Sequence, residues 1–319
     1  MDNLPLLSII CTVYNQEAFI KDCLEAVAAL DYPNVELFVV DNGSEDNAKE
    51  IIKEWLSNQN IDFQVSTIFR ESRWPYCKSF NEVFSLTSGK YLIDLSGDDL
   101  LLTAHAMKSV QALENHPTAA VCFSDALLEK NGKKSSFYPR TAEGKLKKKV
   151  EDGDLYKKLV ASHHVLSVTM VLRSDALRAI GGYDETLSYE DFDIQVRLAR
   201  KYSFVFSDHF GLIKTLHPNA FSATQYMRYR SVMLPSTLRI CWKIKEMNQD
   251  SLEDKALLQR VLYELKHSLL SANFEQAIGF MELASALGAS GLHYFIYGQW
   301  IKYRWDFSVL YVLLKKIKG

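Results

Sequence analysis

Short apolar runs alternate along the first part of the chain with longer stretches in which apolar residues recur every three or four positions. The runs at residues 6–13, 35–40, 63–69, 91–95 and 119–128 predict strands. The stretches at about 17–30, 47–57, 77–86 and 103–115 predict helices. The first helix carries Phe19, Ile20, Leu24, Val27 and Ala28 on one face, and the second Ile51, Ile52 and Trp55. Tyr32-Pro33-Asn34 stops the first helix, and the last ends before Pro117. Such strand–helix alternation predicts a mostly parallel sheet with helices on both faces.

The pattern then changes. Residues 130–149 are polar and basic and predict an exposed excursion. Contact with a phosphate-bearing acceptor or an anionic membrane is the alternative. A helix over 154–162 and a strand over 165–172 follow, then a short helix capped by Ser174 or Asp175 and stopped by Gly181-Gly182. Residues 191–202 read as a helix, and 204–206 and 212–216 as short strands. From 222 the chain is almost wholly helical, over about 223–247, 251–271, 274–287 and 292–302. Two domains are therefore expected, 1–221 and 222–319. The last stretch, 300–318, mixes Trp300, Tyr303, Trp305 and Phe307 with Lys302, Arg304, Lys315, Lys316 and Lys318. It reads either as an interfacial segment on anionic lipid or as a terminal helix docked on the helical region or a second copy.

Composition narrows the function. The formal net charge of -2 gives no basic field for nucleic acid. The five cysteines are scattered with no C-x-x-C pair, so neither a disulfide framework nor a zinc site is expected. No basic-then-apolar leader opens the chain and no run reaches membrane-spanning length, so a cytoplasmic protein is expected.

Candidate chemistry gathers where strands end. The fourth strand runs into Ser96-Gly97-Asp98-Asp99, and the second into Asp41-Asn42-Gly43-Ser44. Parallel strands put both loops on one edge of the sheet, where ligands of open α/β folds bind. Adjacent carboxylates there suit a hard divalent cation completed by substrate phosphates. The plainer reading is a polar turn with Asp99 or Thr103 as the cap of the next helix. Glu190, Asp191 and Asp193 crowd the first turn of another helix, a position its dipole alone favours for acids.

These segments resemble a known family. Ser8 to Asn15, Val39-Val40-Asp41-Asn42-Gly43-Ser44, Gly97-Asp98-Asp99, Gly181 to Glu185 and Glu190-Asp191-Phe192-Asp193 look like the motifs of family 2 inverting glycosyltransferases with a GT-A fold, in order, across about residues 6–220. The resemblance implies an α/β, Rossmann-like domain with a C-terminal helical extension, using a nucleotide-sugar (a UDP-sugar) to glycosylate a glycan or lipid-linked glycan. It implies donor contacts at Thr12, Tyr14, Asn15, Asp41, Lys78 and Asp98, and a divalent metal, Mn2+ or Mg2+, on Asp98 with His217 as a further candidate. Asp191 matches the catalytic base, with Glu190 on the acceptor side. A peripheral contact with the inner face of the membrane and a homo-oligomer are compatible with it.

The chain departs from the family pattern in three places. Ser96 stands where the first acid of the D-x-D motif is usual, Asn42 where a second acid often follows Asp41, and no basic residue immediately precedes Asn81. Lys78 or Arg73 can supply the missing cation. The alternatives are a non-catalytic donor-binding scaffold with a degenerate GT-A domain and, further off, a nucleotidyltransferase, whose Gly-rich, Lys-containing phosphate loop is missing after the first strand.

Overall fold

A computed structural model describes residues 4–58, 61–217, 220–311 and 313. In chain order its elements are β1 (Leu7–Val13), α1 (Ile20–Ala28), β2 (Val35–Asp41), α2 (Ala48–Asn58), β3 (Gln64–Phe69), α3 (Tyr76–Phe84), β4 (Tyr91–Ser96), β5 (Asp99–Leu101), α4 (His105–Asn115) and β6 (Ala119–Lys130). There follow β7 (Lys133–Ser136), α5 (Tyr156–Ala161), β8 (Val171–Arg173), α6 (Ser174–Ala179), α7 (Asp191–Ala199), β9 (Ser203–Thr215), α8 (Leu234–Met247), α9 (Ser251–Leu270), α10 (Phe274–Ala286) and α11 (Leu292–Tyr303). The described residues form two compact units. The first comprises 1–155, 165–185 and 197–217, and the second 156–164, 186–196 and 218–319.

The first unit is built on one sheet of order β3-β2-β1-β4-β8-β6-β9-β5, with β7 added to β6. Its centre is parallel. β1 pairs with β2 from Leu7↔Val35 to Val13↔Asp41 and with β4 from Leu7↔Tyr91 to Thr12↔Ser96. All of β1 and β2 is buried, which is why those runs are apolar without alternation. Leu7, Ile9, Cys11 and Val13 share a core with Ile20, Leu24, Val27, Ile52 and Trp55 from α1 and α2. Each such side chain contributes about 1.5–3 kcal/mol on burial.

Beyond β4 the order is not the one that simple alternation predicts. β8 lies antiparallel between β4 and β6, so the fifth run of the sequence is not a neighbour of the fourth. The apolar stretch 165–172 is not one strand. Ser167–Thr169 forms a 3-10 turn, in which Thr169 Oγ1 donates to Leu166 O at 2.8 Å, and only Val171–Arg173 pairs. Conversely, 204–206 and 212–216 are ends of the single strand β9, which follows β6 through register shifts around Asp125. Asp99 caps no helix. It opens β5, opposite Lys214 of β9, and α4 begins after Ala104 without a side-chain cap. The basic excursion is partly ordered as the β6–β7 hairpin and as a loop held by Arg140, whose Nε donates to buried Asp125 at 2.6 Å.

In the second unit, α9 packs against α5, α8 and α10. Leu257, Val261, Leu265 and Leu269 form its buried stripe. The stripe carries a polar interruption. Arg260 and Glu264 are both buried, Arg260 Nε donates to Val160 O at 3.1 Å, and Tyr226 donates to Glu264 at 2.8 Å. Burial raises the Glu264 carboxyl above its ordinary range, and Arg260 and Tyr226 pull it back. The expected helix 223–247 starts only at Leu234, because Pro235 is tolerated in a first turn and not in a helix interior. Among the described residues no helix is long and apolar enough to cross a membrane.

Candidate functional site

In the first unit, three neighbouring parallel strands end on one edge with polar side chains. Thr12 lies at the end of β1, Asp41 at the end of β2, and Ser96, Gly97 and Asp98 at and just beyond the end of β4. Thr12 is buried, and its hydroxyl has no hydrogen-bond partner among the described residues. A buried hydroxyl left unpaired is costly and marks a place where a ligand can supply the missing bond.

The loops beyond these strands hold one another. Asn15 sits in the left-handed region at φ 52°. Its N–H donates to Ser44 Oγ at 3.0 Å, and its Oδ1 accepts from Glu45 N at 2.8 Å. Gly43 turns at φ 79°, and a Cβ there would meet the Ser72 backbone at 2.3 Å. Asn42, where an acid is usual in the family, is used as an amide. Its Nδ2 donates to Trp74 O at 3.0 Å and its Oδ1 accepts from Trp74 N at 3.3 Å. A carboxylate could make only the second of these bonds.

That hook places a basic, aromatic shelf beside Tyr14. The Arg73 guanidinium lies over the Tyr14 ring at 4.5 Å. Arg70 and Lys78 lie over Trp74 at 4.0 and 4.7 Å, and Lys78 is exposed on α3. The residue before Asn81, Phe80, stacks on Tyr183 at 3.9 Å and is core. Asn81 itself ties down the Gly181-Gly182-Tyr183 turn, donating to Tyr183 O at 2.8 Å and accepting from Tyr183 N at 2.9 Å.

Asp98 is the acid around which the rest is arranged. It accepts a hydrogen bond from Ser96 Oγ, which in turn accepts from Gln16 Nε2 at 3.2 Å. His217 Nε2 lies 2.9 Å from Asp98 Oδ2, and the His217 ring stacks on Phe19. Burial works to raise the Asp98 carboxyl, but bonds from His217 and Ser96 and the charge of Lys214 outweigh it and hold it below the ordinary range. Ser96 therefore adds no second carboxylate and instead keeps Asp98 ionised. Asp99 contrasts with it. Burial pushes its carboxyl up to about 6, against the pull of Lys214, and among the described residues neither oxygen accepts a hydrogen bond. Lys214 Nζ stands 3.6 Å away. The Lys214 contact was not legible in the sequence, since it depends on the antiparallel β5–β9 register.

Asp98 and His217 supply an ionised carboxylate and an imidazole, a donor set compatible with a divalent cation such as Mn2+. Among the described residues no group of three or more His, Cys, Asp or Glu side chains could hold an ion. The residues therefore fit an ion that takes most of its ligands from water and a bound diphosphate.

Glu190 and Asp191 belong to the second unit, at the start of α7. Asp191 is half-buried and its Oδ1 accepts from Phe192 N at 2.5 Å, while Glu190 O accepts from Ile194 N at 2.9 Å. Pro218 and Asn219, next to His217, lie outside the described residues, as do Leu314, Lys315, Lys316 and Lys318 of the terminal segment.

The mostly parallel sheet flanked by helices, with its acid-bearing turn after β4, is the GT-A architecture of glycosyltransferases. The chain belongs to glycosyl transferase family 2, whose sequence model matches residues 8–179, more than half of its length. It is 25% identical over 247 residues to an uncharacterised glycosyltransferase of Methanocaldococcus jannaschii, covering 76% of this chain and 81% of that one. To an uncharacterised glycosyltransferase of Rickettsia typhi it is 27% identical over 216 residues, 66% of this chain and 64% of the relative. Among solved structures, S. aureus TarS 1–349 in complex with UDP-GlcNAc aligns with a TM-score of 0.65 at 16% identity, covering 88% of this chain and 81% of that one. A mannosyltransferase from Pyrobaculum calidifontis, in complex with GDP-Man and Mn2+, aligns with a TM-score of 0.58 at 15% identity, covering 94% and 84%. These last two likenesses concern the fold. The protein is a glycosyltransferase.

Proposed function

We propose that the protein is an inverting glycosyltransferase that takes its sugar from a UDP-sugar and passes it to a hydroxyl of a glycan or lipid-linked glycan. The observation that carries the donor reading is the strand edge where unpaired Thr12, Asp41 and ionised Asp98 end three adjacent parallel strands, beside Tyr14 with Arg73 on its face. An aromatic ring under a guanidinium offers stacking for a base and charge for phosphates. In this reading Thr12, Tyr14, Asn15 and Asp41 hold the nucleoside, Arg73 and Lys78 face the diphosphate, and Asp98 with His217 holds Mn2+ or Mg2+. That UDP-GlcNAc and GDP-Man with Mn2+ are bound by proteins of the same fold supports a nucleotide-sugar donor. A bound divalent ion would stabilise the charge that develops on the departing diphosphate.

Asp191 is the proposed general base, taking the proton from the acceptor hydroxyl as it attacks, with Glu190 on the acceptor side. One displacement with one base inverts the anomeric centre. The donor and catalytic chemistry is assigned to 1–221 and acceptor, oligomer or membrane contact to 222–319. α11 has no buried residue, and Leu292, Phe295 and Tyr303 are 70%, 59% and 57% exposed. With Trp305, Phe307, Lys302 and Arg304 these favour a peripheral contact with anionic lipid at the cytoplasmic face of a membrane. Binding to phosphatidylglycerol vesicles that fails to exceed binding to neutral ones would remove that part, and a salt-independent dimer would reassign the surface to a second copy.

The donor reading is tested by thermal unfolding with UDP, GDP and ADP, with and without Mn2+ or Mg2+. A ligand at 100 times its dissociation constant stabilises by about 2.7 kcal/mol. A metal-dependent shift with UDP is expected. A shift with GDP alone changes the donor, and none with any nucleotide defeats the assignment of this edge. Asp191→Asn is expected to keep the UDP shift and lose transfer by about 100-fold or more.

A further inference from the structure

The start of α7 is fastened within the second unit by four separate devices. Ser188 N donates to Ser236 Oγ at 2.8 Å and Ser188 Oγ donates to Val232 O at 2.9 Å. The buried Tyr189 hydroxyl meets Thr237 Oγ1 at 2.7 Å. Phe192 packs under the Arg260 guanidinium of α9 at 4.8 Å. Finally, Lys243 of α8 forms an ion pair with Asp193, whose side chain is 2% exposed. Local sequence does not require any of these partners, since they come from residues 44 to 68 positions later.

The last contact has a consequence for Asp191. Two positions along a helix turn the side-chain direction by about 200°. A carboxylate at 193 drawn inward to Lys243 therefore turns Asp191, which is half-buried, to the other side of the helix. Loss of the Lys243 ammonium would push the buried Asp193 carboxylate toward leaving its site or taking up a proton. Either change rotates or recharges the same helical turn.

We propose that Lys243 is a positioning residue: its ion pair with Asp193 sets the rotation of the first turn of α7, and so the direction and charge environment of the Asp191 carboxylate. The helices after residue 222 thus have a part in the chemistry, as the mount of the base. This rests on the reading of Asp191 as the base. Among the described residues, the charged and titratable groups around that turn include Glu190 and Asp193 on its own segment, Tyr189 just before it, Cys241 and Lys243 on α8, and Arg260 and Glu264 on α9, with His163 beyond Arg260.

The test uses the full chain labelled with 13C at aspartate carboxyls, with the Asp191 signal assigned by its loss in Asp191→Asn. In Lys243→Met the Asp191 signal is expected to move and its titration midpoint to rise by about half a pH unit, as a cation is removed beside three acids. Lys243→Arg should restore both. An Asp191 signal and midpoint unchanged in Lys243→Met would overturn the proposal. If that variant does not fold, the Asp193→Asn and Lys243→Met pair removes both members of the ion pair together; an unmoved Asp191 signal there overturns it equally, and a moved one supports it. Base identity is read separately: nucleotide-sugar turnover that survives Asp191→Asn would remove the base reading, while leaving any effect of Lys243 on Asp191 in place.

Discussion

His217 Nε2 lies 2.9 Å from Asp98 Oδ2, joining the end of β9 to the turn after β4 across 119 positions of sequence. The contact is one of the reasons that Asp98 stays ionised in spite of burial. Replacing His217 by Ala is therefore expected to raise the Asp98 carboxyl. It should also weaken Mn2+-dependent UDP binding by about 10–100-fold, the usual cost of losing a ligand-orienting partner. Titration calorimetry with and without Mn2+ reads this directly. Equal UDP affinity in both proteins, with the same metal requirement, would take His217 out of the site.

Arg73 over Tyr14 gives a second expectation. Arg73→Ala should weaken UDP binding by about tenfold, from a stacked cation worth up to about 2 kcal/mol. Arg73→Lys should recover only part of it, because a point charge does not reproduce the planar stack. Uridine affinity, measured beside UDP, separates stacking from phosphate contact.

Asn81 is expected to matter for stability. Its amide satisfies the backbone of Tyr183 in both directions and donates to Glu185 Oε1 at 3.0 Å. Gly182 packs against it at φ 71°, where an added Cβ would meet Asn81 Oδ1 at 2.7 Å. Asn81→Ala should cost about 1–3 kcal/mol in urea unfolding. Asn81→Asp should be comparably destabilised, having lost its donor.

Two buried histidines set a pH dependence. His105 Nδ1 and His209 Nε2 are 3.0 Å apart. Burial first, and then their charged neighbours, lower His105 to about 3 and His209 to about 4. Below the ordinary histidine value near 6.5 the unfolded chain takes up protons that the folded one refuses. Stability is thus fully present above about pH 6.5 and is lost as pH falls toward 4, by about 1.4 kcal/mol per pH unit for each histidine. Urea midpoints between pH 7.5 and 5 should show this decline, and His209→Gln should flatten it.

Much of the first unit was legible because its signals are local. β1 to β4 are short, continuous apolar runs broken by turn residues, and the helices between them have clear stripes. The strand-end acids Asp41 and Asp98 followed from the same reading, since a parallel arrangement puts successive strand ends on one edge. What failed locally did so for identifiable reasons. The apolar stretch at 165–172 could have been strand throughout, but Thr169 closes a turn on Leu166. The Ser207 to Phe210 stretch looked like a break between strands, but β9 bulges there and keeps its pairing with β6 on either side.

The sequence by itself determined the strand–helix alternation, the acid-bearing turns and the family, because these depend on residues within a few positions of one another. Tertiary structure decided which acids are charged and what they touch. Asp98 and Asp99 are adjacent and chemically identical, yet one is held ionised by Ser96 and His217 while burial raises the other to about 6. Asp191 and Asp193 share one helical turn, yet only Asp193 is nearly sealed in, against Lys243. Side-chain environment is set by partners brought in from distant positions by packing, and spacing along the chain carries no record of them.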